Sequence, residues 1–295
     1  MSNTYTHTMQ VRISDCDAFG FLDPEHYLHY MVETSFAHDK EVNAINESWS
    51  ERGVVWMIRE TEIEFMRPII YGDSVEITTT IGNYSKTRGT RFYEFHEKQA
   101  GKLFARSQSE IFALDIKKQR PIPIPEFLFD IYKSEGDSKK TYSRKQFPIA
   151  PPPPPKVFRM RKKVEWHDID LFHHANHAAY LRIMKTAGME FGEEIGLPIR
   201  STLNQNWAIL NRRSHIKYLG QAKIGDELEI ALFDSNMELD RWNRHYKIIR
   251  ISDGMELIRG YINLVWVEVE TFEPSPIPSE ALVTWDGYIS KATTV

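Results

Sequence analysis

The sequence predicts an α+β protein in which one small domain is written twice. Sliding the chain along itself by 153 residues lays positions 9–126 on 162–279 without a gap, and 25 of the 118 aligned pairs are identical. Each copy reads as a short alternating run, one amphipathic helix pattern, then four runs rich in Val, Ile, Phe, Tyr and Thr. Repeats of this length are whole domains and not the short units of a solenoid. Two such copies are expected to pack about a pseudo-twofold axis, an internal imitation of a homodimer.

The elements follow in order. The opening strand is expected in TMQVRISD, where Val11 and Ile13 alternate with Arg12 and Ser14, and in RKKVEWHD through Val164 and Trp166. A turn precedes a helix over about 24–42 in copy one. In copy two, Tyr180, Leu181, Met184, Ala187, Gly188 and Phe191 form one apolar stripe that Gly196 stops. Strands are expected at 55–69, 74–81, 90–97 and 103–116, and at 208–219, 227–233, 243–251 and 257–269. A sheet curled around the helix of its own copy buries that stripe. The expected domains are 1–130 and 157–295, joined by a linker at 131–156 whose five prolines, Pro151–Pro155, form a semi-rigid polyproline II spacer.

Composition excludes several classes. A net charge of −4 argues against general affinity for nucleic acid or anionic surfaces, and 41% hydrophobic content suits a globular core. The lone Cys16 cannot form an internal disulfide, and no run of apolar residues reads as a signal peptide or membrane span. A cytoplasmic location is therefore expected.

Chemistry is expected where the first strand crosses to the helix. Copy one reads Asp15-Cys16-Asp17-Ala18-Phe19-Gly20-Phe21-Leu22-Asp23-Pro24; copy two reads Asp168-Ile169-Asp170-Leu171-Phe172-His173-His174-Ala175-Asn176-His177. Asp23 and Asn176 are N-cap residues at matching positions. Beyond a cap, the first backbone N–H groups have no intrahelical acceptor and carry the positive end of the helix dipole. They can polarise a carbonyl oxygen while a nearby carboxylate attacks it or activates water.

DCDAFGFLDPEHYLHY and DIDLFHHANHAAYLRI both resemble the opening pattern of hot-dog thioesterases of the 4-hydroxybenzoyl-CoA type, a fold shared with acyl-ACP thioesterases. The resemblance implies two tandem hot-dog domains, each an antiparallel sheet wrapped around a long helix, forming an intramolecular pseudo-dimer that hydrolyses acyl-CoA or acyl-ACP. It implies Asp170 or Asp17 as nucleophile or general base, and the amide seven residues on as the carbonyl's hydrogen-bond donor. That amide belongs to His177 in copy two, whereas Pro24 has none. Copy two keeps His174 and Asn176, with His173 where glycine is usual; copy one has Phe21 and Asp23. Copy two is therefore expected to hold the better site, in Asp170, His174, Asn176 and His177, with Asp17 weakened.

The substrate contacts expected are Met31, Phe36, Met184, Ala187 and Phe191 for the acyl chain, and Arg212 and Arg213 for CoA phosphates or an acidic carrier protein. Solvated strand ends are the plain alternative for the arginines, core packing that for Met31, Met184 and Phe191, and turn-capping that for the acids. No cofactor is expected. A metal on His173, His174, His177, Asp168 and Asp170 fits no standard ligand spacing. The rivals are a hydratase of the same fold and a silent acyl-thioester-binding protein, and a homodimer of the doubled chain stays open.

Overall fold

The computed structural model describes residues 3–42, 53–83, 85–115, 117–118, 120–126, 132, 146–203 and 205–291. Most of the expected linker, 133–145, lies outside the described residues. The chain divides into two compact units, Met1–Gln146 and Phe147–Val295.

In unit 1, β1 (Thr4–Gln10) leads through a 3-10 turn at Ile13–Asp15 into α1 (Pro24–Glu41). Four long strands follow: β2 (Val54–Phe65), β3 (Ser74–Gly82), β4 (Gly89–Glu97) and β5 (Leu103–Asp115). Their antiparallel order is β1-β3-β4-β5-β2, and the short β6 (Arg120–Ile122) pairs with the end of β5. Unit 2 repeats the plan. It has β7 (Phe158–Lys163), a 3-10 turn at Trp166–Asp168, α2 (His177–Glu194) and a short α3 (Ile199–Leu203). Its long strands are β8 (Trp207–Tyr218), β9 (Glu227–Ser235), β10 (Arg241–Arg250) and β11 (Glu256–Glu268), in the order β8-β11-β10-β9, with β7 also on β9. A helix α4 (Ser279–Trp285) and a two-residue β12 (Ile289–Ser290) end it; neither stands out from the sequence pattern.

The first strand ends earlier than the alternation suggests. Val11 and Val164 are buried as expected, but Ile13 and Trp166 are exposed on the 3-10 turns. The cause is local. The carboxylates of Asp15 and Asp168 accept the backbone N–H of Arg12 (3.3 Å) and Glu165 (2.8 Å), which closes a turn and breaks the period-2 run.

Several identical pairs are explained by backbone geometry. Gly72 and Gly225, Asn83 and Asn236, and Gly101 and Gly254 all have positive φ, where a Cβ is costly. Asp73 and Asp226 then accept the N–H of Ile70 and Lys223, three residues back. The Pro-x-Pro-Ile-Pro segments bury Ile124 and Ile277, whose N–H groups reach the carbonyls of the equivalent residues Lys86 and Leu239.

Each helix lies against its own sheet, burying Tyr27, Leu28 and Met31 in unit 1 and Tyr180, Leu181, Met184, Ala187 and Phe191 in unit 2. Met184 sits so close to β11 that a Cβ built on Gly260 would meet its sulfur at 2.5 Å. The proline run is tied down: Ser290 donates to the Pro152 carbonyl at 2.7 Å, and the Lys156 N–H donates to Gly287 at 3.1 Å. It therefore lies along unit 2. Among the described residues, no helix is long and apolar enough to cross a membrane.

A buried ion pair shows how the two copies have diverged. Arg91 and Arg244 occupy the same position, and both are almost fully buried against an aspartate. In unit 1 the partner is Asp39 on α1, at 2.8 Å, with Tyr132 donating to the same carboxylate. In unit 2 it is Asp234 on β9, at 2.8 and 2.9 Å, with Trp285 donating at 2.8 Å. Tyr132 and Trp285 keep the 153-residue offset, whereas the counterpart of Asp39 is Gly192 and that of Asp234 is Ile81. The acid has moved from helix to sheet while the arginine and its aromatic companion stayed. His38, which meets Arg91 at 2.9 Å, is matched by Phe191, whose ring lies 4.9 Å from the Arg244 guanidinium.

Candidate functional site

The site is built on the loop between the 3-10 turn and the helix. In unit 2 the loop closes on itself, with the Asp170 N–H donating to the His174 carbonyl at 3.1 Å and Ile169 bridging Ala175. The Ala175 N–H donates to Ala222, and the Asn176 N–H to the Asp168 carbonyl. His173 takes a left-handed φ of 60°, the place that Gly20 fills at 80° in unit 1. A side chain at this φ costs on the order of 1 kcal/mol, so unit 2 carries strain in the loop that unit 1 avoids.

The two acids of each motif have different environments. Asp15 and Asp168 are buried anchors. Asp168 accepts from Arg182 on α2 at 2.6 Å, and Asp15 accepts from Tyr30 on α1 at 2.7 Å. Burial alone would raise the Asp15 pKa, but hydrogen bonds from Arg12 and Tyr30 prevail and hold it below the usual carboxylate value. Asp17 and Asp170 are only half-buried. Asp170 Oδ1 accepts the Phe172 N–H at 2.9 Å, and its other oxygen has no hydrogen-bond partner among the described residues. Asp17 Oδ1 accepts two loop amides, from Phe19 at 2.9 Å and Phe21 at 3.2 Å.

Asn176 and Asp23 are the N-caps, accepting from Ala178 at 2.9 Å and Glu25 at 3.4 Å. Asn176 thus spends its side-chain carbonyl on the helix. His177 and Pro24 are the first helical residues, so only unit 2 has an N–H there. His174 Nδ1 is buried without a hydrogen-bond partner. Burial, with Lys223 behind it, pushes the His174 pKa down against the pull of Asp170, leaving a neutral imidazole. Its counterpart Phe21 is buried and apolar. Cys16 has its thiol pKa raised by burial and then by Asp17 and Asp15, which removes it as a nucleophile at neutral pH.

Supporting residues were invisible as such in the sequence. The Tyr180 hydroxyl accepts the Ala222 N–H at 3.0 Å, and burial pushes its pKa up to about 12. Tyr218 donates to the His177 carbonyl at 3.4 Å, with its ring edge-on to the imidazole. The identity of Tyr27 and Tyr180 was the one available signal for the first of these.

The residues expected to contact substrate are scattered. Met31, Met184, Ala187 and Phe191 are packed in the cores, and Phe191 is enclosed by Phe158, Trp285 and Tyr288. Phe36 is 48% exposed. Arg213 lies over the Tyr261 ring and donates to His215. Arg212 is exposed because it is the extra residue of a β-bulge: Arg213 pairs with Asn263 and Asn211 with Leu264. Arg59, its counterpart, is the extra residue of a matching bulge between Ile58 and Glu60. Among the described residues, the group spaced for a metal is Glu165, His167 and Asp168, rather than the histidines of the loop. Lys162 and Arg182 already pair with its two acids.

Two units in tandem, each a long helix wrapped by an antiparallel sheet, define a double hot-dog protein. Each unit is similar to a thioesterase family of that fold: residues 2–132 match the acyl-ACP thioesterase N-terminal domain and 164–284 the thioesterase-like superfamily. An acyl-[acyl-carrier-protein] hydrolase of Cuphea viscosissima is 22% identical over 262 residues, covering 80% of this chain; the chain spans 56% of that relative's length. A provisionally assigned oleoyl thioesterase of Lactobacillus plantarum superposes with a TM-score of 0.72 at 18% identity, covering 89% of this chain and 96% of the other. The 12:0-ACP thioesterase of Umbellularia californica gives 0.69 at 15%, covering 89% and 94%. At these identities the solved structures speak for the fold.

Proposed function

We propose that the chain hydrolyses acyl thioesters at the loop–helix junction of unit 2. The observation that carries the reading is the pairing of chemically available groups on residues 170–177. Asp170 has one carboxylate oxygen unshared with protein donors, and His174 has a buried, unpartnered Nδ1. The matching positions in unit 1 hold an acid tied to two amides, a phenylalanine and a proline.

In this mechanism the His177 N–H at the start of α2 receives the thioester carbonyl oxygen, which gains negative charge as the acyl carbon is attacked. The Phe172 N–H holds one Asp170 oxygen and leaves the other to act. It either attacks the acyl carbon, expelling thiolate and leaving an anhydride that water opens, or takes a proton from the attacking water. The leaving thiolate takes its proton from solvent in the first route and from the protonated Asp170 in the second, while the neutral His174 imidazole is a hydrogen-bond partner for the attacking water. Arg212, turned outward by its bulge, is the proposed contact for the phosphates of CoA or of a carrier's prosthetic group. The capping role of Asn176 supports a rigid helix start at this site.

Thiol release from acyl-CoA and from acyl-ACP tests the reading and identifies the carrier. Asp170→Asn should lower kcat by on the order of 100-fold or more, and Asp17→Asn by much less. Greater damage from Asp17→Asn would overturn the assignment, and no release from either carrier would leave a binding protein. Single turnover in ¹⁸O-water tests the routes in one direction: label in the Asp170 carboxylate means an anhydride opened at the aspartyl carbon. Where label enters only the free acid, trapping of an acyl-enzyme distinguishes an anhydride opened at the acyl carbon from activated water.

A further inference from the structure

The end of unit 2 that carries the Asp170 loop presents large apolar side chains to solvent. Trp166 is 82% exposed, Leu171 93% and Ile224 54%. They belong to one cluster of turns. Val164 and the Gly225–Asp226 turn exchange two backbone hydrogen bonds of 2.9 Å, and Ala175 bonds Ala222 at 2.8 Å. Residues 164–175 and 222–226 are therefore stitched together, with Trp166, Leu171 and Ile224 at their tips. Unit 1 also exposes apolar side chains at the positions equivalent to Trp166 and Ile224, namely Ile13 and Tyr71. The side chains differ between copies, yet both stay apolar and exposed.

Cations flank the tips in unit 2. Arg161 and Lys163 on β7 and Lys223 on the turn are exposed and carry no ion pair among the described residues. The neighbouring acids are partly occupied: Glu165 by Lys162, Asp168 by Arg182 and Asp226 by Arg250; Glu227, opposite Lys163 on β9, and the half-buried Asp170 of the loop itself are the exceptions. A protein interface favours a flat apolar patch whose members shield one another. Nearly bare tips with unpaired cations on the adjoining strand and turn fit instead a surface into which single side chains can sink, with anions at its level.

We propose that this end of unit 2 is an anchor for an anionic lipid surface, with Trp166, Leu171 and Ile224 entering the headgroup–acyl boundary and Arg161, Lys163 and Lys223 meeting the headgroups. The inference goes beyond the hydrolysis reading and does not depend on it. It would set the Asp170 loop at the membrane, where a released long-chain acid is soluble.

Flotation of the full chain with phosphatidylglycerol-containing vesicles and with pure phosphatidylcholine vesicles tests it. The chain should float with the anionic vesicles, less with the neutral ones, and be released by raised salt. Trp166→Ser/Ile224→Ser should weaken binding by about tenfold or more, and Lys163→Gln/Lys223→Gln by on the order of tenfold at low salt. Circular dichroism and thiol release from a soluble acyl-CoA should stay at the wild-type level in the Trp166→Ser/Ile224→Ser variant. Absence of flotation with anionic vesicles overturns the proposal, as does equal flotation of this variant and wild type. It is also overturned if the chain ignores vesicles and the variant instead abolishes self-association in sedimentation, or capture of an acidic carrier protein.

Discussion

His245 should make unit 2 sensitive to acid, and its replacement by phenylalanine should remove that sensitivity. The imidazole is 6% exposed, stacks on Phe233 at 5.1 Å, and has Nε2 at 2.8 Å from the Ser235 hydroxyl. Burial pushes its pKa from 6.5 down to about 4, against the opposing charge of Asp234. The native state therefore binds fewer protons than the unfolded state between those values. The stability that neutral His245 contributes is intact above the unfolded pKa of 6.5 and drains away as pH falls toward about 4. Applying the linkage relation to this gap gives a loss of about 2 kcal/mol between pH 7.5 and pH 5, and about 3 kcal/mol below pH 4. Unit 1 provides the control, because the diagonal cross-strand pair Ser235 and His245 corresponds there to Gly82 and Phe92. Urea unfolding followed by tryptophan fluorescence, which here reports mainly on the five tryptophans of unit 2, measures the effect. Wild type should lose about 2 kcal/mol more than His245→Phe/Ser235→Gly between pH 7.5 and pH 5. Parallel curves for the two proteins would refute the reasoning.

Other changes should act through named contacts. Asp234→Asn strands the Arg244 guanidinium in the core and should cost about 3–5 kcal/mol, read as a lower urea midpoint. Gly260→Ala should cost about 1–3 kcal/mol by driving a methyl into the Met184 sulfur, and a shorter side chain at 184 should recover part of it; full stability in the single variant would show that the helix yields. His173→Gly should relieve the left-handed backbone and raise stability by about 1 kcal/mol in thermal unfolding; a loss would mean that the imidazole has an unrecognised partner.

Local sequence carried everything that depends on a residue and its near neighbours. The duplication, the two helices, the eight long strands and the N-caps Asp23 and Asn176 all lie where periodicity and capping chemistry put them, because both report local backbone geometry. The loop of Asp170 and His174 was legible for the same reason: its spacing is a short-range property. Its hydrogen bonds were not, nor was the early end of the first strand, since Ile13 and Trp166 keep an alternating pattern that a side-chain-capped turn overrides. Tertiary structure alone decided the partners. Arg91 and Arg244 are identical in the aligned copies, yet one pairs with an acid on a helix and the other with an acid on a strand. The bulges that expose Arg59 and Arg212, and the packing that encloses Phe191 while exposing Phe36, were likewise hidden. The physical reason is that charge pairing and burial depend on distance in space, which residues far apart in the chain supply, and no periodicity along the chain encodes it.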